Sequence, residues 1–233
     1  MRIPCTLRLP QASLALLLLA STGLAQWATN PAVNQSVGDG PSDQNLAKIA
    51  VTGTGDSWIG WFDGIGNGYD VRLQRLDSNG NEAFAHNGIL VSNRSFSSTQ
   101  DWGMDTAANG DALLAYRDDH LGSTEVGAAR VDASGAMLWG PTGVLLTSGA
   151  GFVASPKIAG TLDGGAVVAW TENSSVRLQK LDSAGVPVWA SPITLTPSVG
   201  SYSVADLHDA GNDVILSMVH QTGGFTSPKH LVA

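Results

Sequence analysis

The chain repeats itself. Three stretches match position for position: 71–84 (VRLQRLDSNGNEAF), 126–139 (VGAARVDASGAMLW) and 176–189 (VRLQKLDSAGVPVW). Each reads basic residue, aliphatic, Asp, two small or polar residues, Gly, three residues, aromatic. The basic residue is Arg75, Arg130 or Lys180, and the acid is Asp77, Asp132 or Asp182. The glycine is Gly80, Gly135 or Gly185, and the aromatic is Phe84, Trp139 or Trp189. A second block recurs as GDSWIGWFD from Gly55, GDALLAYRD from Gly110 and GGAVVAWTE from Gly164. Six residues after its glycine stands Trp61, Tyr116 or Trp170; a weaker fourth copy from Gly211 offers Ser217 or Met218. WATNPAVNQS from Trp27 is a fainter partner of WGPTGVLLTS from Trp139. Counted by these aromatics, the repeats span about 27–83, 84–138, 139–188 and 189–233, with spacings of 57, 55 and 50 residues. A fixed period of this size marks a repeat architecture.

Each repeat consists of short runs rich in Val, Ile, Leu and Trp, cut by glycine turns such as Asn109-Gly110-Asp111 and Ser78-Asn79-Gly80. Such runs are strands joined by hairpin turns, and no 3.6-residue stripe persists. Four strands are predicted per repeat; in the first full copy they cover 46–51, 57–62, 69–76 and 83–92. The second strand is apolar on both faces, which places it inside a stack of sheets. The fold class is therefore all-β: a β-propeller of four-stranded antiparallel blades, each of about 50–57 residues, with about four blades present. A sandwich would give no reason for the repeat, and solenoid coils are usually shorter. The phase also matters. The chain opens with a fourth-type strand, 32–37, which could complete a last sheet and remove its exposed edge. The final repeat stops as its third strand begins, so an incomplete wheel is expected.

Residues 1–25 stand apart. Arg2 and Arg8 precede an apolar run at 12–20, and Gly23-Leu24-Ala25 places small residues before Gln26. This is the layout of a secretory signal peptide cleaved after Ala25, with the propeller domain occupying 26–233. The run is too short to span a bilayer, which takes about 20 residues. The expected location is extracellular, cell-surface or periplasmic, with no membrane span in the mature chain. The single cysteine, Cys5, leaves with the leader, so no disulfide is available. Ten basic residues then face 20 acidic ones, which disfavours nucleic acid as a partner.

The segments LDSNG…F, VDASG…W and LDSAG…W resemble repeats of secreted bacterial β-propeller-like proteins that read aliphatic-Asp-x-x-Gly-x-x-x-Trp. They are more distantly similar to the propellers of pyrroloquinoline-quinone enzymes, whose Asp-x-x-Thr-Gly-x-x-x-Trp turn is one residue longer and carries a threonine absent here. The resemblance implies a propeller and an exported protein; it implies no activity.

Chemistry-bearing motifs are few. Gly-x-Ser-x-Gly is absent, and His86, His120, His208, His220 and His230 lack metal-ligand spacing. Asp77-Ser78-Asn79-Gly80 has its glycine at the wrong place for a calcium loop. Neither metal nor cofactor is expected, and no catalytic residue is assigned. Because a single active site needs each residue once, Asp77, Asp132 and Asp182 read as turn formers. The connections after the second and fourth strands are long and varied, and strand alternation gathers them on one rim. Variable loops on a rigid scaffold are where binding usually lives. That rim brings Asp63, Asp101, Asp118, Asp119 and Glu172 beside Phe96, Trp102, Phe152 and Tyr202. The leading expectation is a non-enzymatic exported binding or scaffold module for a protein or glycan. The alternative is a hydrolase or lyase acting on polysaccharide with paired acids such as Asp63 and Asp118, which a glycosidase needs about 5–9 Å apart.

Overall fold

The computed structural model describes residues 32, 34–65, 68–96, 102–119, 122–149 and 151–233. The leader at 1–25, Trp27 and Asp101 lie outside them. The described strands form four antiparallel sheets, taken in chain order. The first blade holds β1 (Gln44–Val51), β2 (Ser57–Ile65), β3 (Gly68–Leu76) and β4 (Ile89–Phe96). The second holds β5 (Gly103–Thr106), β6 (Ala112–Asp118), β7 (Glu125–Val131) and β8 (Val144–Leu145). The third holds β9 (Val153–Gly160), β10 (Ala166–Glu172), β11 (Ser175–Leu181) and β12 (Ile193–Leu195). The fourth has three strands, β13 (Ser201–Ala210), β14 (Asp213–Gln221) and β15 (Lys229–Val232). The chain is an all-β propeller with one blade per repeat.

Successive sheets pack face to face, the second and third each turning one face to the blade before and the other to the blade after. Trp58, Phe62 and Leu73 of the first blade share a core with Leu114 and Tyr116 of the second. Leu113 and Ala115, on the opposite face of β6, share another with Ile158, Val168 and Trp170 of the third. Val167 and Ala169 then meet Val204, Leu207 and Met218 of the fourth. The β6 strand is buried along its whole length, as its two apolar faces required. A fully buried Trp such as Trp58 removes roughly 150–250 Å² from water, about 4–6 kcal/mol as an upper bound.

The repeated acid makes the same turn three times. Asp77 Oδ1 accepts the N–H groups of Asn79 and Asn81, Asp132 Oδ1 those of Ser134 and Ala136, and Asp182 Oδ1 those of Ala184 and Val186. The glycine that closes each turn has φ of 81°, 87° and 82°, a region that only glycine enters at little cost. The aromatic of one blade rests on the turn of the next. A Cβ on Gly135 would lie 3.0 Å from Phe84 Cε1, and one on Gly185 2.7 Å from Trp139 Cγ. Trp139 Nε1 also donates to Ser183 O at 3.1 Å. Trp189 is half-buried against the core shared by the third and fourth blades.

Two expectations are corrected and one open choice is resolved. The strand expected at 32–37 is not formed among the described residues: Ala32 lies in a turn and 34–37 belong to no strand. The fourth strand of the first blade starts at Ile89 rather than 83, because 82–88 are tied to β3 instead. Glu82 bridges Leu76, and the buried Gln74 side chain accepts from Phe84 N and donates to Ala85 O. In the fourth copy, Met218 takes the place of the repeated aromatic. With the buried faces in phase, the inner hairpins align on Val51↔Ser57, Thr106↔Ala112, Gly160↔Ala166 and Asp209↔Val214, the fourth closing one pair further at Ala210↔Asp213. Four residues beyond Ser57, Ala112, Ala166 and Val214 stand Trp61, Tyr116, Trp170 and Met218. Trp61 is buried beside Gly88, and Tyr116 donates its hydroxyl to Thr142 O, so each braces the lead-in to its own fourth strand.

Candidate functional site

The varied connections do share one rim, but the acids there are largely committed. Asp63, Asp118 and Glu172 occupy one repeat position, six residues into the second strand of successive blades, where β6 and β10 end and β2 runs two residues further. In the first blade, Asp63 Oδ2 lies 2.8 Å from Arg72 Nε, and Oδ1 accepts from Gln44 Nε2. In the third, Glu172 Oε1 lies 3.0 Å from Arg177 Nη2, and Oε2 accepts from Trp170 Nε1. The arginines also correspond, since Arg72 pairs with Trp61 as Arg177 pairs with Trp170. The second blade has Gly127 there, opposite Tyr116. With glycine at the cross-strand position, Asp118 is buried and accepts from Ser92 Oγ of the first blade at 2.9 Å. Asp63 and Asp118 thus belong to different blades, each held by its own partners.

Trp102 is not on the rim surface. It is fully buried in the first joint, donating Nε1–H to Leu46 O with its ring 5.3 Å from Phe62. Tyr202 is half-buried, edge-on to His220 at 4.9 Å, and its N–H bonds Ser174 O. At the seam of the second and third blades the rim does gather groups. Arg117 reaches to 5.9 Å from the half-exposed Phe152 ring, and burial pulls its pKa down while the Asp119 charge opposes this. Beside them a cavity of about 370 Å³ is lined by Thr147, Ser148, Trp170, Glu172 and Arg177. The loop forming its wall is pinned by buried Glu125, which accepts from Thr147 Oγ1 and Gly149 N.

A second concave site lies at the axis, on strands that sequence reasoning passed over. The innermost strands of all four blades line one cavity of about 300 Å³, including Lys48, Met104, Asp105, Ile158, Asp206 and Asp209. Asp105 and Asp209 also line an adjoining hollow of about 220 Å³ towards the glycine turns. Asp105 Oδ2 accepts Gly160 N–H at 2.8 Å. Burial pushes the Asp105 carboxyl up and the Asp209 charge adds to this, while the N–H groups of Gly160 and Thr106 and nearby His208 oppose it. His208 Nε2 stands 3.3 Å from Asp206 Oδ2. A carboxyl raised above its ordinary range near a second carboxylate is an arrangement in which one acid can donate a proton while the other assists. Among the described residues, no three His, Cys, Asp or Glu side chains converge so as to hold a metal ion.

A signal for this site was present in the repeat. By strand register, the Asp105 position holds Ala50, Ala159 and His208 in the other blades, and the Asp209 position holds Val51, Thr106 and Gly160. Both acids break the repeat, where Asp63, Asp118 and Glu172 follow it. Nearby, Leu46 and Ser155 hold φ of 50° and 48° at bulges in β1 and β9. Bulges of this kind re-aim inner-strand side chains.

No known protein family matches the chain, and no curated protein is similar to it. Solved structures are similar in chain path. A glycosyl hydrolase from Bacteroides ovatus shares 9% identity over 77% of this chain and 61% of its own, with a TM-score of 0.47. An endo-1,5-alpha-L-arabinanase from Thermotoga petrophila shares 10% over 81% and 55%, also with a TM-score of 0.47. The polysaccharide lyase Uly1 shares 12% over 82% and 50%, again at 0.47. The chain spans about three fifths or less of the length of these structures. The propeller assignment itself rests on the four sheets and their order.

Proposed function

We propose that this chain is an exported, polysaccharide-acting domain that cleaves glycosidic bonds at the propeller axis. Asp105 is the proton donor and Asp209 the second carboxylate of the pair. One observation carries the reading: a half-buried carboxyl, pushed up by burial and by the charge of a second carboxylate, lines with it a cavity shared by every inner strand, at positions where the repeat has no acid. In such a pair the protonated acid gives its proton to the leaving oxygen while the carboxylate acts on the anomeric carbon or on a water. The acidic net charge of −8 favours a neutral glycan over a polyanionic one. The reaction class is the one named in the structures above, although the cavity and not the likeness supports it. Export follows the leader-like layout of 1–25, and N-terminal sequencing of the secreted protein should begin at Gln26.

The test is reducing-end release from a panel of neutral polysaccharides. Asp105→Asn should lower the rate roughly 100-fold or more while leaving the fold intact. Wild-type activity should also fall as pH rises through the elevated pKa of Asp105, because the donor is then deprotonated. An inert wild type, or an Asp105→Asn protein of full activity, would refute the proposal. The cavity at the Arg117–Phe152 seam favours a second reading, in which the varied rim binds a glycan or protein without cleaving it. Binding on a glycan array that Arg177→Ala abolishes and Asp105→Asn spares would support that reading.

A further inference from the structure

The first and third blades carry the same trio on the rim of varied connections: Trp61, Asp63 and Arg72 in one, Trp170, Glu172 and Arg177 in the other. In the first blade the chain's own entering segment covers the trio. Gly38 lies against Trp61, where a Cβ would stand 3.1 Å from Cε2, and a Cβ on Gly40 would lie 3.8 Å from Asp63 Oδ1. Gln44 Nε2 donates to the same Oδ1 at 2.9 Å, and Arg72 Nη1 donates to Asn87 O at 3.4 Å.

The third blade is built differently at each of these steps. Glu172 pairs in register with Val153, where Asp63 pairs with Gln44, so the covering amide is replaced by a side chain with no donor. Gly38 and Gly40 stand six and four residues before Gln44; Thr147 and Gly149 stand six and four before Val153. These two are held to the second blade instead, because Glu125 of β7 accepts Thr147 Oγ1–H and Gly149 N–H. The trio of the third blade therefore borders the cavity of about 370 Å³, with Ser148 on its wall.

The cavity has a defined chemistry. Glu172 only accepts; its oxygens take Arg177 Nη2 and Trp170 Nε1–H, which leaves acceptor positions over. Arg177 only donates, and its side chain is 35% exposed. An acceptor and a donor locked side by side by their own ion pair fit a group that gives and takes hydrogen bonds at neighbouring atoms. Adjacent sugar hydroxyls do this, one donating to Glu172 and the next accepting from Arg177. An anion would meet Glu172 within a chain of net charge −8, and a cation would meet Arg177. Phe152, 55% exposed at the same seam, offers an apolar face for a sugar ring.

We propose that this hollow is a second glycan site, apart from the axial acids, holding a neutral sugar through two adjacent hydroxyls set between Glu172 and Arg177. Such a site makes specific the reading that the varied rim binds a glycan, on which it rests, and it needs no cleavage at the axis.

The test is titration calorimetry of neutral gluco-, xylo-, manno- and arabino-hexaoses against the full chain carrying Asp105→Asn, so that binding is read without cleavage. At least one hexaose should bind. Ser148→Trp, at an exposed position on the wall, should fill the hollow and abolish the binding heat. Arg177→Met should weaken binding about tenfold or more, the effect of one charged hydrogen bond. Arg72→Met breaks the equivalent ion pair in the first blade, where the chain covers it, and should bind like the parent; this separates a ligand contact from a loss of structure. No binding to any hexaose, or an equal loss in Arg72→Met, would overturn the proposal. Binding that Ser148→Trp and Arg177→Met both leave unchanged would also overturn it, while leaving the rim reading in place with the sugar elsewhere. A wild type that binds at this seam but releases no reducing ends would support the site and remove the cleavage reading.

Discussion

Removing the ring of Trp139 and crowding the glycine beneath it tests the joint between blades directly. Trp139 is 2% exposed, its indole N–H is bonded to Ser183 O, and its ring lies on the Asp182–Gly185 turn. Trp139→Ala should cost about 3–5 kcal/mol, of which about 1 kcal/mol is the hydrogen bond. That is a large share of a domain stability of about 5–15 kcal/mol, so the variant should be at or near unfolding. Gly185→Ala carries two costs in the wild type. Its φ of 82° is strained for a residue with a Cβ, about 1–2 kcal/mol. The new Cβ, 2.7 Å from Trp139 Cγ, adds an overpacking cost of about 1–3 kcal/mol. With the ring already gone, only the backbone cost remains. The double variant should therefore be less unstable than the sum of the singles by about 1–3 kcal/mol. Urea unfolding of the four proteins, with a second cycle at Phe84 and Gly135 if Trp139→Ala does not fold, measures this. Additivity to within about 0.5 kcal/mol would show that ring and turn do not touch, and the joint as described would be wrong.

Trp189→Ala should cost distinctly less than Trp139→Ala, about 1–2 kcal/mol, because its ring is only half-buried; equal losses in chemical denaturation would refute this. Asp163, bonded to Lys180 Nζ and Thr161 Oγ1, has its pKa lowered to about 2 from 3.8. Its contribution is then fully present above the unfolded value and lost as pH falls from about 4 towards 2. Asp163→Asn should flatten that part of the stability profile, and unfolding midpoints recorded between pH 2 and 5 that match wild type throughout would count against the ion pair.

The sequence carried the blade count, the turn chemistry and the inward ring because each depends on local spacing. Gly80, Gly135 and Gly185 need positive φ, and Asp77, Asp132 and Asp182 need only the next few N–H groups. The fourth strand was less legible. Its start depends on the Gln74 side chain, ten residues back in sequence, holding 84–85 against β3. The rim acids looked like free ligands because their arginines sit across a hairpin, at 72 and 177, where only pairing register reveals them. The axial acids were hidden for a different reason. The innermost strands carry the weakest repeat, so Asp105 and Asp209 had no aligned counterparts until the sheets supplied them.

The contact of Phe84 with Gly135, and of Trp139 with Gly185, has a direction: at each of these joints one unit offers a plug forwards and the next a socket backwards. Such a head-to-tail joint is not self-complementary, so it ends only by meeting its own tail. A molecule prevented from meeting its own tail would present a plug at one end that fits the socket of any neighbour. Variants that expose such a plug should therefore grow into linear, concentration-dependent assemblies rather than stop at dimers.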